Sequence, residues 1–447
     1  MKNVYFIGIG GIGMSAIARY YNYKGYAVSG YDRTPSDLTH ALESEGIAVH
    51  YEDRPDLVPS DREETLVIYT PAIPADLQEL VKVLTEGYHV VKRSRALGEL
   101  TRGQRTLAVA GTHGKTTTST LVAHILQTSP EGCSAFLGGI SRNYGTNFLV
   151  SRNDVVVVEA DEFDRSFLQL HPQIAAITAM DADHLDIYGD LEHVQEAYRA
   201  FAGQVSDAIV AKWGLPLKAE DYPAHLYSYH ISEEKADFHA ANLRLSADGH
   251  YTFDLVHPHG VIRDIKVGTL GLLNVENSVA AAAICLLHGV GEEYIREGIG
   301  TFQGAKRRLE EYVNRPDQTY IDDYAHHPAE LEASIRTVKG IFPGRKLTAV
   351  FQPHLYTRTR DFAPEFARAL NLADEVVLLD IYPARELPIP GVTSEIIYKD
   401  VTCAKKWQLH YEDLLDWVRS HKTDVLVTFG AGNIDRLVEP IAQILDR

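Results

Sequence analysis

Lys115 and Thr116 close the run Gly111-Thr112-His113-Gly114 and open the run Thr116-Thr117-Thr118. An ammonium group screens a phosphate, and a threonine hydroxyl offers an oxygen to a divalent cation. The glycines let the main chain turn tightly enough to aim several N–H groups at one point. Val109 stands where the longer G-x-x-x-x-G-K-[ST] pattern has its first glycine, so this is the shortened form of the loop. Gly111, Thr112, His113, Gly114, Lys115, Thr116 and Thr117 are therefore expected to cradle the phosphates of ATP. The bland alternative is a glycine turn with a surface lysine. Two polar clusters downstream contain Glu159 and His184. Alone, Glu159 would be an acid near a helix start and His184 a satisfied core histidine. Following a phosphate loop, both are expected to serve metal chemistry, with Thr116, Glu159 and His184 as candidate ligands.

Three other patterns carry chemistry. Gly8-Ile9-Gly10-Gly11-Ile12-Gly13 is a G-x-G-x-x-G turn, and Asp32 follows it by about 20 residues, as in dinucleotide-type folds. The pattern implies a diphosphate at a helix start without saying which nucleotide carries it. Asn274 and Asn277 are three apart, near one face of a helix turn. Their amides match the donor and acceptor edge of adenine; capping a helix start is the alternative. The last third holds Asp322-Asp323-Tyr324-Ala325-His326-His327 and Gln352-Pro353-His354-Leu355-Tyr356-Thr357-Arg358.

The elements that must position these groups are strands alternating with helices. Val4–Ile9, Tyr26–Tyr31 and Leu66–Tyr69 read as strands, with a helix over Met14–Tyr23. Thr106–Ala110 is a buried strand ahead of the phosphate loop, and Thr118–Leu126 opens a helix. Asp154–Val158 and Ile174–Met180 end in the Glu159 and His184 clusters. Asn277–Leu287 is an alanine-rich helix. Thr319–Ile321, Leu347–Phe351, Glu375–Leu379 and Val425–Phe429 form a last set of strands. Trp213–Asp254 reads as irregular. Ligand chemistry in a parallel α/β sheet gathers at the carboxyl ends of strands, where these clusters fall. The expected fold is α/β with three domains: a Rossmann-like domain over 1–97, a P-loop-type ATP-binding domain with a mostly parallel sheet over 98–308, and a Rossmann-like domain over 309–447.

A length of 447 residues exceeds one core and agrees with two or three domains. The net charge of −18, without a long basic run, argues against nucleic acid or a membrane surface as partner. Cys133, Cys285 and Cys403 are far apart and lack metal spacing, which fits reduced thiols in a cytoplasmic protein. Glycines interrupt the apolar N-terminal stretch, so it reads as a strand rather than a leader, and no segment is long enough to span a membrane.

The chain resembles the Mur ligase family. The stretches that carry the likeness are GIGGIGMS (8–15), GTHGKTTT (111–118), VEADEFDRSF (158–167), DADHLDIYGD (181–190), FQGAKRRLE (302–310), DDYAHHP (322–328), FQPHLYTRTRDF (351–362), YPARELPIPGVTS (382–394) and FGAGNI (429–434). They span all three blocks in family order, and DDYAHHP with FQPHLYTRTR is similar to the alanine-adding branch. The resemblance implies an ATP- and Mg²⁺-dependent ligase of peptidoglycan synthesis. It would join L-alanine to the lactyl carboxylate of UDP-N-acetylmuramate through an acyl phosphate. It implies catalytic roles for Lys115, Glu159, His184, His354 and Arg358. Asn274, Asn277, Arg308 and Asp323 would serve ATP. Gly10, Gly11, Ile12, Gly13, Asp32 and Thr70 would hold the UDP portion. Tyr324, His326, His354 and Arg358 would surround the amino acid. A monomer or weak homodimer is expected. Leu272-Leu273 stands where some relatives have Arg-His, and Leu185–Val210 contains no lysine of the kind other members carbamylate.

Three rivals remain at this level. A peptide-recycling member of the same family would attach a preformed tripeptide to the same sugar nucleotide. An NAD-dependent oxidoreductase would explain the first glycine turn and leave the phosphate loop and Glu159 unexplained. A non-catalytic partner of another ligase would not need Lys115, Thr116, Glu159 and His184 intact.

Overall fold

The structure, a computed structural model, describes residues 1–182, 185–384 and 386–446, apart from the side chains of Leu185 and Asp186. The chain divides into two compact units. One comprises Met1–Ala241, Asp254–Ile265 and Glu276–Phe302; the other comprises Asn242–Phe253, Lys266–Val275 and Gln303–Arg447.

The first unit opens with five parallel strands, β1 (Asn3–Ile7), β2 (Ala27–Tyr31), β3 (Ala48–His50), β4 (Thr65–Tyr69) and β5 (His89–Lys92), in the order β3-β2-β1-β4-β5. The continuous apolar run of β1 reflects burial on both faces. Val4 and Phe6 pack with Met14 and Ile17 of the helix Ile12–Tyr23. Tyr5 and Ile7 pack with Leu80 and Val83 of the helix Gln78–Thr85.

The central sheet contains β6 (Arg105–Ala110), β7 (Ser134–Phe136), β8 (Phe148–Leu149), β9 (Val155–Glu159), β10 (Ile174–Ile177), β11 (Ala208–Lys212), β12 (His225–His230), β13 (Phe238–Leu245), β14 (Tyr251–His257) and β15 (Gly260–Lys266). Its order is β15-β14-β13-β12-β11-β10-β6-β9-β7-β8. The ladders from β13 across to β7 are parallel, and β7 pairs antiparallel with β8. The stretch expected to be irregular, Trp213–Asp254, instead contributes β12, β13 and the start of β14. These strands mix polar with apolar residues because much of their surface is only partly covered, so no unbroken apolar run marks them.

The second unit is built on β16 (Glu310–Arg315), β17 (Gln318–Asp323), β18 (Leu347–Phe351), β19 (Glu375–Leu379), β20 (Lys405–Leu409) and β21 (Val425–Phe429), ordered β16-β17-β21-β18-β19-β20. Only β16 runs antiparallel. Alternation again separates two cores. Ala349 and Phe351 meet Leu331, Ile335 and Phe366 from the helices Pro328–Ile341 and Tyr356–Leu370. Val350 and Val377 meet Trp417 and Ile441 from the helices Leu414–Ser420 and Asp435–Leu445. Among the described residues no helix is long and apolar enough to cross a membrane. The three cysteines form no disulfide.

Within the first unit the two sheets are interlocked. Arg19 is buried and donates to Glu45 at 2.7 Å and to Asn147, whose own amide reaches Ser15 Oγ at 3.0 Å and the Ile12 carbonyl. The helix Arg93–Thr101 lies so close to the segment Phe163–Gln169 that a Cβ on Gly98 would collide with the Gln169 carbonyl. Main chain cannot swing aside as a flexible side chain can. We therefore expect Gly98→Ala to lower stability by about 1–3 kcal/mol despite the better helix propensity of alanine, read as a lower urea midpoint at unchanged slope.

Candidate active site

The phosphate loop bridges the end of β6 and the helix Lys115–Thr128, and Gly114 caps that helix in the left-handed region at φ 80°. No side chain caps the helix and no acid occupies its first turn, so Lys115, Thr116 and Thr117 lie at an electropositive end. Thr178 at the end of β10 braces the loop through the carbonyls of Ala110 and His113. Thr112 receives the Asp181 N–H at 3.3 Å, while His113 is exposed and 3.5 Å from Asp181.

Lys115 Nζ donates to the Gly111 carbonyl and to Glu162 Oε1, both at 2.7 Å. Thr116 Oγ1 donates to Glu159 Oε1 at 3.0 Å, and the Gly138 N–H reaches Glu159 Oε2 at 2.9 Å. Burial raises the Glu159 carboxyl above its ordinary range; Lys115 and the Thr116 hydrogen bond oppose that shift. Gly138 makes this packing possible, because a Cβ there would fall on the carboxylate oxygens. Asn277 sits inside the helix Leu272–His288 rather than capping it, and its Oδ1 accepts from Thr118 at 3.4 Å beside the loop. His184 lies outside the described residues. The Glu159–Thr116 pair is a hard-oxygen set that suits Mg²⁺, which takes few protein ligands beside a nucleotide's phosphates. Among the described residues no three acid, histidine or cysteine side chains converge as a metal cluster.

The first glycine turn gathers its expected partners. Asp32 Oδ2 accepts from the Gly10 N–H at 2.7 Å, and Thr70 donates its N–H to the Ile7 carbonyl at 3.4 Å. Gly11 is the N-cap of the helix Ile12–Tyr23, brings no capping side chain and gives its own N–H to the Gly8 carbonyl at 3.3 Å, so the N–H groups of Ile12 and Gly13 are the donors at the helix start.

The second unit collects the remaining candidates at the carboxyl ends of β17 and β18. The buried Asp323 accepts from the N–H groups of Leu309 and Ala325 at 2.8 and 2.9 Å. Burial outweighs these bonds and pushes its carboxyl up to about 6. Arg307, not among the sequence candidates, pairs with Asp322 at 2.9 Å; Arg308 reaches over the Tyr324 ring at 6.0 Å from its centroid. His326 Nδ1 lies 3.0 Å from the Tyr324 carbonyl, and burial lowers the imidazole's affinity for a proton. The His326 and His354 rings are 6.1 Å apart. Arg358 lies in the first turn of its helix with a buried Nη1 that has no hydrogen-bond partner among the described residues. Asn274 belongs to this unit and donates to the Leu270 carbonyl at 2.7 Å. Gly138 and Glu162 escaped the sequence reading of the site. Glu162 was visible as a third acid after Asp161, whereas Gly138 has no neighbouring pattern to mark it.

Comparison with known proteins accounts for nearly the whole chain. Residues 3–105 match the Mur ligase family catalytic domain, 109–285 the Mur ligase middle domain, and 307–432 the glutamate ligase domain of Mur ligases. The chain is 50% identical to the UDP-N-acetylmuramate–L-alanine ligase of Parabacteroides distasonis over 99% of this chain and 97% of that protein. It is 49% identical to the enzyme of the same name from Porphyromonas gingivalis, over 100% and 99%. A crystal structure of UDP-N-acetylmuramate–alanine ligase from Thermotoga maritima superposes with a TM-score of 0.83 at 26% identity, covering 99% of this chain and 98% of that one. A murein peptide ligase from Psychrobacter arcticus shares the fold, with a TM-score of 0.68 at 21% identity over 100% and 99%. The phosphate loop, its flanking acids and the three-sheet architecture thus lie in a chain that belongs to the Mur ligase family.

Proposed function

We propose that this chain uses ATP to join L-alanine to the lactyl carboxylate of UDP-N-acetylmuramate, through an acyl phosphate, in peptidoglycan precursor synthesis in the cytoplasm. The observation that carries the reading is that Lys115 and the hydrogen-bonded Thr116–Glu159 pair stand together at one helix start, in a chain about half identical to ligases of that name. Residues 1–97 would hold the sugar nucleotide, 98–308 ATP, and 309–447 the amino acid.

Transferring a phosphoryl group onto a carboxylate brings anions together, so catalysis requires positive charge already in place. Lys115 and the N–H groups of the loop supply it from the chain. Bound Mg²⁺, held by Thr116 and Glu159 with His184 as a further ligand, would add Lewis-acid charge at the phosphates. Asn274, Asn277, Arg308 and Asp323 would bind the rest of the nucleotide. Arg358 has a guanidinium nitrogen without a partner among the described residues, which suits the carboxylate of an amino acid. The incoming amine must lose a proton. Neutral His326 donates Nδ1–H to the Tyr324 carbonyl, which leaves Nε2 as an acceptor beside His354.

Phosphate release with ATP, Mg²⁺ and UDP-N-acetylmuramate should depend on L-alanine; release with a tripeptide instead would move the chain to the recycling branch. In that assay Lys115→Ala should lose about 10²- to 10³-fold in kcat, and full turnover would remove the loop from the mechanism. Arg358→Lys should raise KM for L-alanine by about tenfold or more with a smaller change in kcat, because an ammonium cannot make the bidentate pair. ADP binding measured from pH 8 to pH 5 should weaken as Asp323 takes up its proton near 6, since the protonated acid loses an acceptor for a ribose hydroxyl. Asp323→Asn should flatten that profile, and a profile that is unchanged would exclude Asp323 as its source.

A further inference from the structure

Arg93 begins the helix Arg93–Thr101, and its guanidinium lies between two loops. Nη2 donates to Asp161 Oδ2 at 2.7 Å. Nη1 stands 2.7 Å from where a Cβ would sit on Gly13, the last glycine of the first turn. One cation therefore touches the proposed diphosphate seat and an acidic loop at once. That loop also holds Lys115, because Glu162 is the residue after Asp161 and its Oε1 is 2.7 Å from Nζ. Lys92 pairs with Asp164 of the same loop at 2.9 Å. Asp164 and Arg165 both occupy the left-handed region, at φ 53° and 54°, which residues other than glycine seldom adopt in succession. Ion pairs hold this conformation against its local preference.

We propose that Arg93 couples the two nucleotide sites. A diphosphate on the Gly8–Gly13 turn takes the guanidinium from Asp161, because Arg–phosphate pairs are bidentate and charge-assisted while the Asp161 side chain is 36% exposed and readily solvated. Loss of that anchor lets the strained loop relax and loosens Glu162 from Lys115. The ammonium is then available to the phosphates of ATP. Coupling of this kind is reciprocal, so ATP should favour the sugar nucleotide by the same factor. The inference rests on the reading of the first glycine turn as a diphosphate seat.

Calorimetry with UDP and a non-hydrolysable ATP analogue, each alone and with the other saturating, tests it on the full chain. In the unmutated protein UDP should tighten analogue binding by about fivefold or more. Arg93→Ala should weaken UDP by about tenfold, tighten the analogue alone towards the affinity it has in the unmutated protein with UDP saturating, and abolish the coupling. Arg93→Lys should recover part of the UDP affinity. Asp161→Asn, at a partly exposed position, should tighten UDP and the analogue, each alone, and also abolish the coupling. Unaltered UDP affinity and coupling in Arg93→Ala and Asp161→Asn would overturn the proposal, as would independent binding in the unmutated protein. Failure of UDP to bind the unmutated protein would instead overturn the reading of the glycine turn.

Discussion

A lysine ammonium held 2.7 Å from both a carboxylate and a main-chain carbonyl sets the terms for this molecule. Lys115 lies at a helix start where the macrodipole already favours anions, so its positive charge needs compensation when no phosphate is near. Glu162 and Gly111 provide that compensation. The position is rigidly determined by its surroundings: β6 carries the loop in, β10 braces it through Thr178, and β9 delivers Glu159 to the next residue along. Parallel pairing places the ends of these three strands side by side. The local arrangement of charge follows from the sheet order.

The phosphate loop was legible in the sequence because its chemistry is contiguous. Seven residues in a row, after one apolar strand and before one helix, contain the whole device. Glu159 was legible for the same reason, standing at the end of four consecutive valines that could only be a buried strand. What the sequence concealed depends on contacts between distant segments. Gly138 is required because Glu159 packs against it, and nothing near it in the chain announces that. Arg307 and Arg308 are adjacent and chemically alike; both guanidinium groups lie over the Tyr324 ring, and only the fold gives Arg307 the buried Asp322 as well. The strands β12 and β13 were hidden by partial exposure, since period and hydropathy signal a strand only when at least one face is consistently covered.

The polar cluster of the second unit follows a different logic from the phosphate loop. Asp323 is buried and restrained by main-chain donors, and burial likewise lowers the affinity of His326 for a proton. Asp323 is buried despite the desolvation cost because two N–H groups receive its oxygens in a fixed direction. Leu355 precedes the helix that carries Arg358 at φ 71°, a conformation unfavourable for leucine. The strain falls at the joint between β18 and that helix, where His354 stacks on Tyr382 and the chain must turn sharply to present the arginine.

The contact between Gly138 and Glu159 has a consequence for chemical intervention. An inhibitor that reached this carboxylate would rest against bare main chain at a position that tolerates no larger residue. Bacteria commonly escape a drug by thickening the wall of its pocket. Here every such replacement would first strike the enzyme's own acid, so resistance by that route would carry the loss of the group being targeted.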